Sequence, residues 1–141
     1  MPARRIPSIP VMAHVLFVCL HNAGRSQMSH ALFERAAGEQ HTSASAGSIA
    51  DPDGSVHPEV VEVMREVGVD LSGIRPQRLD DAMAARADVV VTMGCGDACP
   101  FVPGVRYIDW DLPDPTGQDI EAVRATREEI ARRVDDLLRT L

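Results

Sequence analysis

Cys19, Arg25 and Ser26 fall within HVLFVCLHNAGRSQMSHALFERAA, residues 14–37, in an order suited to nucleophilic attack on an oxyanion. Val15, Leu16, Phe17 and Val18 read as a buried strand that delivers the thiol of Cys19 to its end. Arg25 and Ser26 stand where a helical apolar pattern, Met28, Leu32, Phe33 and Ala36, begins. A strand-to-helix turn leaves backbone N–H groups unpaired at the helix start, and such groups bind anions. The intervening loop of Leu20, His21, Asn22, Ala23 and Gly24 would wrap those donors around a tetrahedral oxyanion, with the fork of Arg25 matched to two of its oxygens. A helix start and an arginine also favour the thiolate, the nucleophilic form of a cysteine. Ser26 is placed to donate a hydrogen bond to the sulfur, Asn22 to fix the loop through its amide, and Gly24 to allow close backbone approach. His21 lies inside the loop, beside the anion or the groups behind it. A buried strand-end thiol with a solvated arginine is the alternative, and it explains neither the spacing nor the flanking elements.

Two more thiols, Cys95 and Cys99, form Cys-x3-Cys in GCGDACP. Over one turn or in a pliable loop such a pair comes within the bridging range of about 4.4–6.8 Å between Cα atoms, and Gly94 and Gly96 would let the segment move. A metal site using Cys19, Cys95, Cys99 and His21 is an alternative that the spacing admits. It would block the anion, and no second Cys/His pair supports it. Inert buried thiols are the other alternative. Asp109, Asp111 and Asp114 lie in IDWDLPDPTG, where a carboxylic acid would serve to protonate a leaving oxygen; Asp, Pro and Gly are equally what turns use.

These residues need a scaffold, and the chain alternates strand and helix patterns. Residues 41–47 read as a weak strand closed by Gly47, and a helix starts near Pro58 with Val60, Val61, Met64 and Val67 at helical spacing, stopped by Gly68. A short helix begins at Asp80 or Asp81, and Val89 to Thr92 is a strong strand signal. Residues 105–110 form another strand, and from Asp119 a helix aligns Ile120, Val123, Ile130, Val134 and Leu137 or Leu138 on one face. Such alternation predicts an α/β domain with a parallel sheet of about four strands. Ligands of such sheets sit beyond the carboxyl ends of the strands, where the loops after Val18, Met93 and Trp110 gather all three cysteines and the aspartates.

The 141 residues suffice for one domain with its own core. The net charge of −7 shows no nucleic-acid footprint, and the longest apolar run is too short for a membrane span. Residues 1–12, with three prolines and no apolar run of signal-peptide length, read as a flexible tail, and a cytoplasmic address is expected. An odd number of cysteines argues against a structural disulfide framework. His14, His41 and His57 are expected at the surface or at strand edges rather than in catalysis.

CLHNAGRS resembles the Cys-x5-Arg-Ser/Thr phosphate loop of the low-molecular-weight protein tyrosine phosphatase fold, and VLFVCLHNAGRSQM is similar to the version in arsenate reductases of that fold. The likeness continues through VVVTMGCGDACP and DWDLPDPTGQ. The resemblance implies a three-layer sandwich with a four-stranded parallel sheet over residues 13–141, and reduction of arsenate to arsenite by cysteine chemistry. Asp114 takes the place of the family's general acid. Cys19 would form an arseno adduct, Cys95 would attack Cys19 and release arsenite, and Cys99 would attack Cys95 to leave a Cys95–Cys99 disulfide. No bound cofactor is implied; an external thiol reductant such as thioredoxin recycles the pair. Mycothiol with mycoredoxin is the rival reductant, since the fourteen basic residues are all arginine, as suits a high-GC bacterium. Where some relatives hold a potassium-binding carboxylate this chain has His30, which argues against that site. A phosphotyrosine phosphatase is the enzymatic alternative, but such enzymes carry an aromatic residue after Asp-Pro, where Thr116 and Gly117 stand here. A non-catalytic oxyanion sensor is the remaining alternative, and it has no need of Asp114.

Overall fold

The computed structural model describes residues 12–94 and 103–141. Cys95, Cys99 and residues 1–11 of the expected tail lie outside the described residues. Four strands, β1 (His14–Cys19), β2 (Thr42–Gly47), β3 (Val89–Thr92) and β4 (Arg106–Asp109), pair in parallel in the order β2-β1-β3-β4. The helices are α1 (Arg25–Ala37), α2 (Pro58–Arg65), α3 (Asp81–Arg86) and α4 (Ile120–Leu138). The expected α/β architecture is present.

Val15 through Cys19 are buried without alternation, because both faces of a central parallel strand are covered. Val15, Phe17 and Val91 face a large core with Met28 and Phe33 of α1, Val60, Val63 and Met64 of α2, and Val123, Ile130 and Val134 of α4. Leu16, Val18 and Val90 face the opposite layer, closed by Met83 of α3 and by Ala87. Phe17 is the hub of the larger core, with ring centroids 5.6 Å from Phe33 and 5.7 Å from Trp110.

Local chemistry sets the ends of the helices. Asp80 accepts a hydrogen bond from the Met83 amide, and Asp119 does the same for Ala122, each at 2.8 Å, so both acids act as N-caps. The α2 pattern predicted a helix running through Val67, whereas the observed helix stops at Arg65. There Val69 N–H donates to Met64 C=O and Gly68 N–H to Arg65 C=O, a pair of bonds that closes the last turn in Schellman fashion. Glu66 follows at once and accepts from Arg124 and Arg127 of α4. Those hydrogen bonds hold its carboxyl down at about 2, so the clamp between α2 and α4 is intact above the usual carboxylate range and is lost only as pH falls through that value.

The weak strand signal of TSASAG became a real edge strand, because β1 supplies a full ladder from His14↔Thr42 to Cys19↔Gly47. β1 lies between β2 and β3, so the chain leaves it toward both sides and opens a crevice beyond its carboxyl end. Cys19 occupies that position. Replacing Phe17, fully buried at the hub, with Ala is expected to lower unfolding free energy by about 3–5 kcal/mol in urea titrations, through lost transfer energy plus a cavity.

Candidate active site

The loop from Leu20 to Gly24 is held from behind by its carbonyls. Ser48 N–H donates to Cys19 C=O at 3.0 Å, Ile49 N–H to Leu20 C=O at 2.9 Å, His57 N–H to Ala23 C=O at 2.9 Å and Met28 N–H to Gly24 C=O at 3.0 Å. Gln27 Nε2 takes the Asn22 carbonyl at 3.2 Å. Within a planar trans peptide the N–H points opposite the preceding residue's carbonyl. Anchoring the carbonyls therefore turns the N–H groups of His21, Ala23, Gly24 and Arg25 away from the anchors and leaves them as donors. Gly47 makes this packing fit: a Cβ there would lie 2.6 Å from Leu20 O and 2.7 Å from Asn22 N.

Asn22 is fully buried and, at φ 54, is the one non-glycine among the described residues with a positive φ. Asparagine tolerates that region better than most residues. Its Oδ1 accepts from Gln27 Nε2 and from the Gln77 amide, each at 2.8 Å, which orients the side-chain amide. Nδ2 is thereby left to donate to Ser26 Oγ at 2.7 Å. With that lone pair engaged, the Ser26 hydroxyl hydrogen is available to the Cys19 sulfur 2.9 Å away, and Asn22 N–H reaches the same sulfur at 3.3 Å. Two donors converge on a buried sulfur, the arrangement that accommodates a thiolate.

Arg25, only 7% exposed, opens α1 and holds its guanidinium over the loop. One end of the fork donates to Leu112 C=O at 3.4 Å, and the other faces Asp114 Oδ2 at 3.8 Å. Asp114 shares a cleft with Cys19, His21, Arg25, His57 and Pro115. Burial resists its ionisation, but the amide and hydroxyl of Thr116, then Arg25 and His57, outweigh that effect and hold the carboxyl below its ordinary range. The attraction between Asp114 and Arg25 is thus present above the ordinary carboxylate range and fades as pH falls through the lowered value.

The three candidate acids separate by location. Asp109 accepts from Thr92 Oγ1 at 2.8 Å at the end of β3 and β4, Asp111 offers its backbone carbonyl to Arg133 at 3.4 Å, and Asp114 alone lines the cleft. Leu20 and Ala23 line or support the loop, while His21 is exposed at its rim. Two histidine expectations need correction. His57, expected at the surface, sits in the cleft because it opens α2 directly behind Ala23. His41 is buried, its Nδ1 accepting from the Ala13 amide at 3.0 Å and its ring against Phe33. His14, half-buried, opens the central strand β1 and is bonded to Thr42 Oγ1 at 2.7 Å. His30 bonds Ser43 Oγ at 2.7 Å, and burial, against the pull of Glu34, lowers its pKa. Gln27 and Gln77, which orient Asn22, escaped the sequence reading; Gln77 is far away in the chain and carries no local signal.

Asn22→Gly keeps the backbone conformation and removes the amide. The expected result is a folded protein destabilised by about 1–3 kcal/mol, from donors of Gln27 and Gln77 left without their acceptor. Added inorganic phosphate should raise its melting temperature far less than it raises that of the parent, a comparison available from paired thermal melts.

The model of the family described as low molecular weight phosphotyrosine protein phosphatase matches residues 14–141. A Halobacterium salinarum protein provisionally named an arsenate reductase is 43% identical over 124 residues, which cover 86% of this chain and 87% of that protein. The thioredoxin-dependent arsenate reductase of Corynebacterium glutamicum has a similar structure, with a TM-score of 0.78 and 40% identity. That match covers 95% of this chain but 63% of the other, so this chain spans less than two thirds of that protein. An arsenate reductase in the phosphate binding state superposes with a TM-score of 0.79 at 32% identity, over 92% of this chain and 98% of that one. With its fold and nearly its whole length matched, the chain belongs to the low molecular weight phosphotyrosine protein phosphatase family, among relatives that bear the name arsenate reductase.

Proposed function

We propose that this chain reduces arsenate to arsenite by attack of Cys19 on arsenic, in a loop that also takes phosphate or sulfate as competing anions. The observation that carries the reading is the Cys19 sulfur 2.9 Å from a Ser26 hydroxyl oriented by Asn22, in a cleft lined by Arg25 and Asp114. Relatives named as arsenate reductases over most of the chain support it.

The N–H groups of His21, Ala23, Gly24 and Arg25 and the guanidinium of Arg25 receive the arsenate oxygens. The incoming anion competes with Asp114 for Arg25 and, being negative, raises the carboxyl's proton affinity. Substrate binding thereby loads the acid. The Cys19 thiolate then forms an S–As bond while one As–O bond breaks, and Asp114 protonates the departing oxygen. Arsenic is still As(V) in this adduct. Reduction follows when the Cys95 thiolate attacks Cys19: an S–S bond forms, the S–As bond breaks with its electron pair on arsenic, and arsenite leaves as As(III). Cys99 attacks Cys95, frees the Cys19 thiolate and leaves a Cys95–Cys99 disulfide, which an external dithiol of the thioredoxin type reduces.

Gly94, the residue before Cys95, packs so tightly on the guanidinium that a Cβ would lie 2.5 Å from Arg25 Nη1. No described helix is long and apolar enough to cross a membrane. The cytoplasm, where thiol reductants are maintained, is the proposed location.

The decisive measurement is a thiol count on the reduced protein before and after stoichiometric arsenate, with no reductant added and arsenite assayed alongside. The three thiols of the chain should fall to one as one arsenite appears. Retention of all three would overturn the internal relay: arsenite formed only with mycothiol and mycoredoxin would assign that route, and hydrolysis of a phosphotyrosine ester without arsenite would assign a phosphatase. Cys19→Ser should abolish turnover. Asp114→Asn should slow the single-turnover rate by roughly 10²–10⁴-fold. Phosphate should bind this variant as tightly as the parent or tighter, because a carboxylate competing for Arg25 has gone.

A further inference from the structure

Within the cleft, His57 touches both halves of the site. Its backbone N–H donates to Ala23 C=O of the anion loop at 2.9 Å, and its ring Nε2 lies 3.3 Å from Thr116 Oγ1, beside the acid. Pro58 follows at the first position of α2 and restricts the backbone there. The Thr116 amide donates to Asp114 Oδ1 at 2.9 Å. The contact with His57 thus holds the hydroxyl of the residue whose backbone N–H holds the acid. The remaining carboxyl oxygen, Oδ2, is the one that faces Arg25 at 3.8 Å.

We propose that His57 is a positioning residue for the acid step: its hydrogen bond to the Thr116 hydroxyl fixes Thr116, whose amide holds Asp114 by Oδ1, and this keeps the catalytic proton on Oδ2, toward Arg25 and the bound anion. The proposal rests on Asp114 being the acid. An N–H donor occupies one oxygen of the carboxyl, and a proton placed there would oppose it. The proton taken up on anion binding goes instead to the oxygen that faces the leaving group. Nothing in this arrangement needs His57 to touch the substrate.

The test is single-turnover arsenite release from the full chain, with the maximal rate and the half-saturating arsenate concentration read separately. His57→Met, matched in size but unable to donate, and Thr116→Val should each slow the maximal rate about tenfold and leave half-saturation unchanged. His57→Gln, whose amide also hydrogen-bonds, should recover to within about twofold of the parent. The double variant His57→Met/Thr116→Val should be no slower than either single one, because both cut one chain. Additive losses, a His57→Gln as slow as His57→Met, or a change confined to half-saturation would overturn the proposal. Should His57→Met fail to fold, Thr116→Ser against Thr116→Val decides: the serine variant must keep the parent rate, and equal losses sink the idea. An Asp114→Asn variant at full rate would remove the acid reading itself, whereas a slow Asp114→Asn beside a fast His57→Met would reject only the role of His57.

Discussion

The amide of Asn22 is the constraint on which the site depends. Its oxygen is fixed by one donor from α1 and one from the segment before α3, so its nitrogen has a single remaining direction, toward Ser26. Ser26 in turn has one hydrogen to give, and Cys19 lies in its path. A side chain in a left-handed backbone conformation thus sets the loop's shape and the polarity of the hydrogen bond at the nucleophile together. Strain of this kind persists where the surroundings over-determine it, and here they do, with Asn22, Ser26 and Gln27 all buried.

Electrostatics within the cleft work against the charge of the whole. A chain of net charge −7 repels anions at long range, yet at physiological salt such fields are screened over about 8–10 Å. Inside that distance an anion meets a ring of outward-turned N–H groups and a nearly buried guanidinium. Asp114, its carboxyl held below the ordinary range, lies 3.8 Å from that guanidinium. In the proposed mechanism the same carboxylate is counter-ion before binding and acid after it.

Phosphatases and arsenate reductases share the first chemical step on this scaffold: a thiolate attacks a tetrahedral oxyanion and an acid protonates the departing oxygen. They part at the adduct. A phosphoryl adduct is finished by water, whereas an arseno adduct is finished by thiols that supply two electrons. The sequence features that would separate the two chemistries are Cys95 and Cys99, which come after β3 in the chain, and Thr116, which stands after Asp114-Pro115 where phosphatases of this fold carry an aromatic residue. At that position Thr116 has no ring to grip a substrate, and its backbone amide holds Asp114 Oδ1 at 2.9 Å.

The anion loop was legible in the sequence because its parts are consecutive. A buried strand, a thiol, small residues and an arginine at a helix start lie within one short segment, and backbone geometry alone turns such a segment into an anion cradle. The alternation of strand and helix likewise determined a parallel α/β sheet. Three nearby aspartates could not be ranked by spacing, since Asp-Pro stretches suit turns as well as catalysis; the fold alone put Asp114 against Arg25 and tied Asp109 to Thr92. Gln77 and His57 gave no local sign of their contacts, because their partners, Asn22 and Thr116, are far away in the chain. Sequence by itself singled out the candidate reacting atoms, since that choice depends on residue type and local backbone. Tertiary structure decided which groups orient them, because hydrogen-bond partners distant in sequence meet only when the core closes.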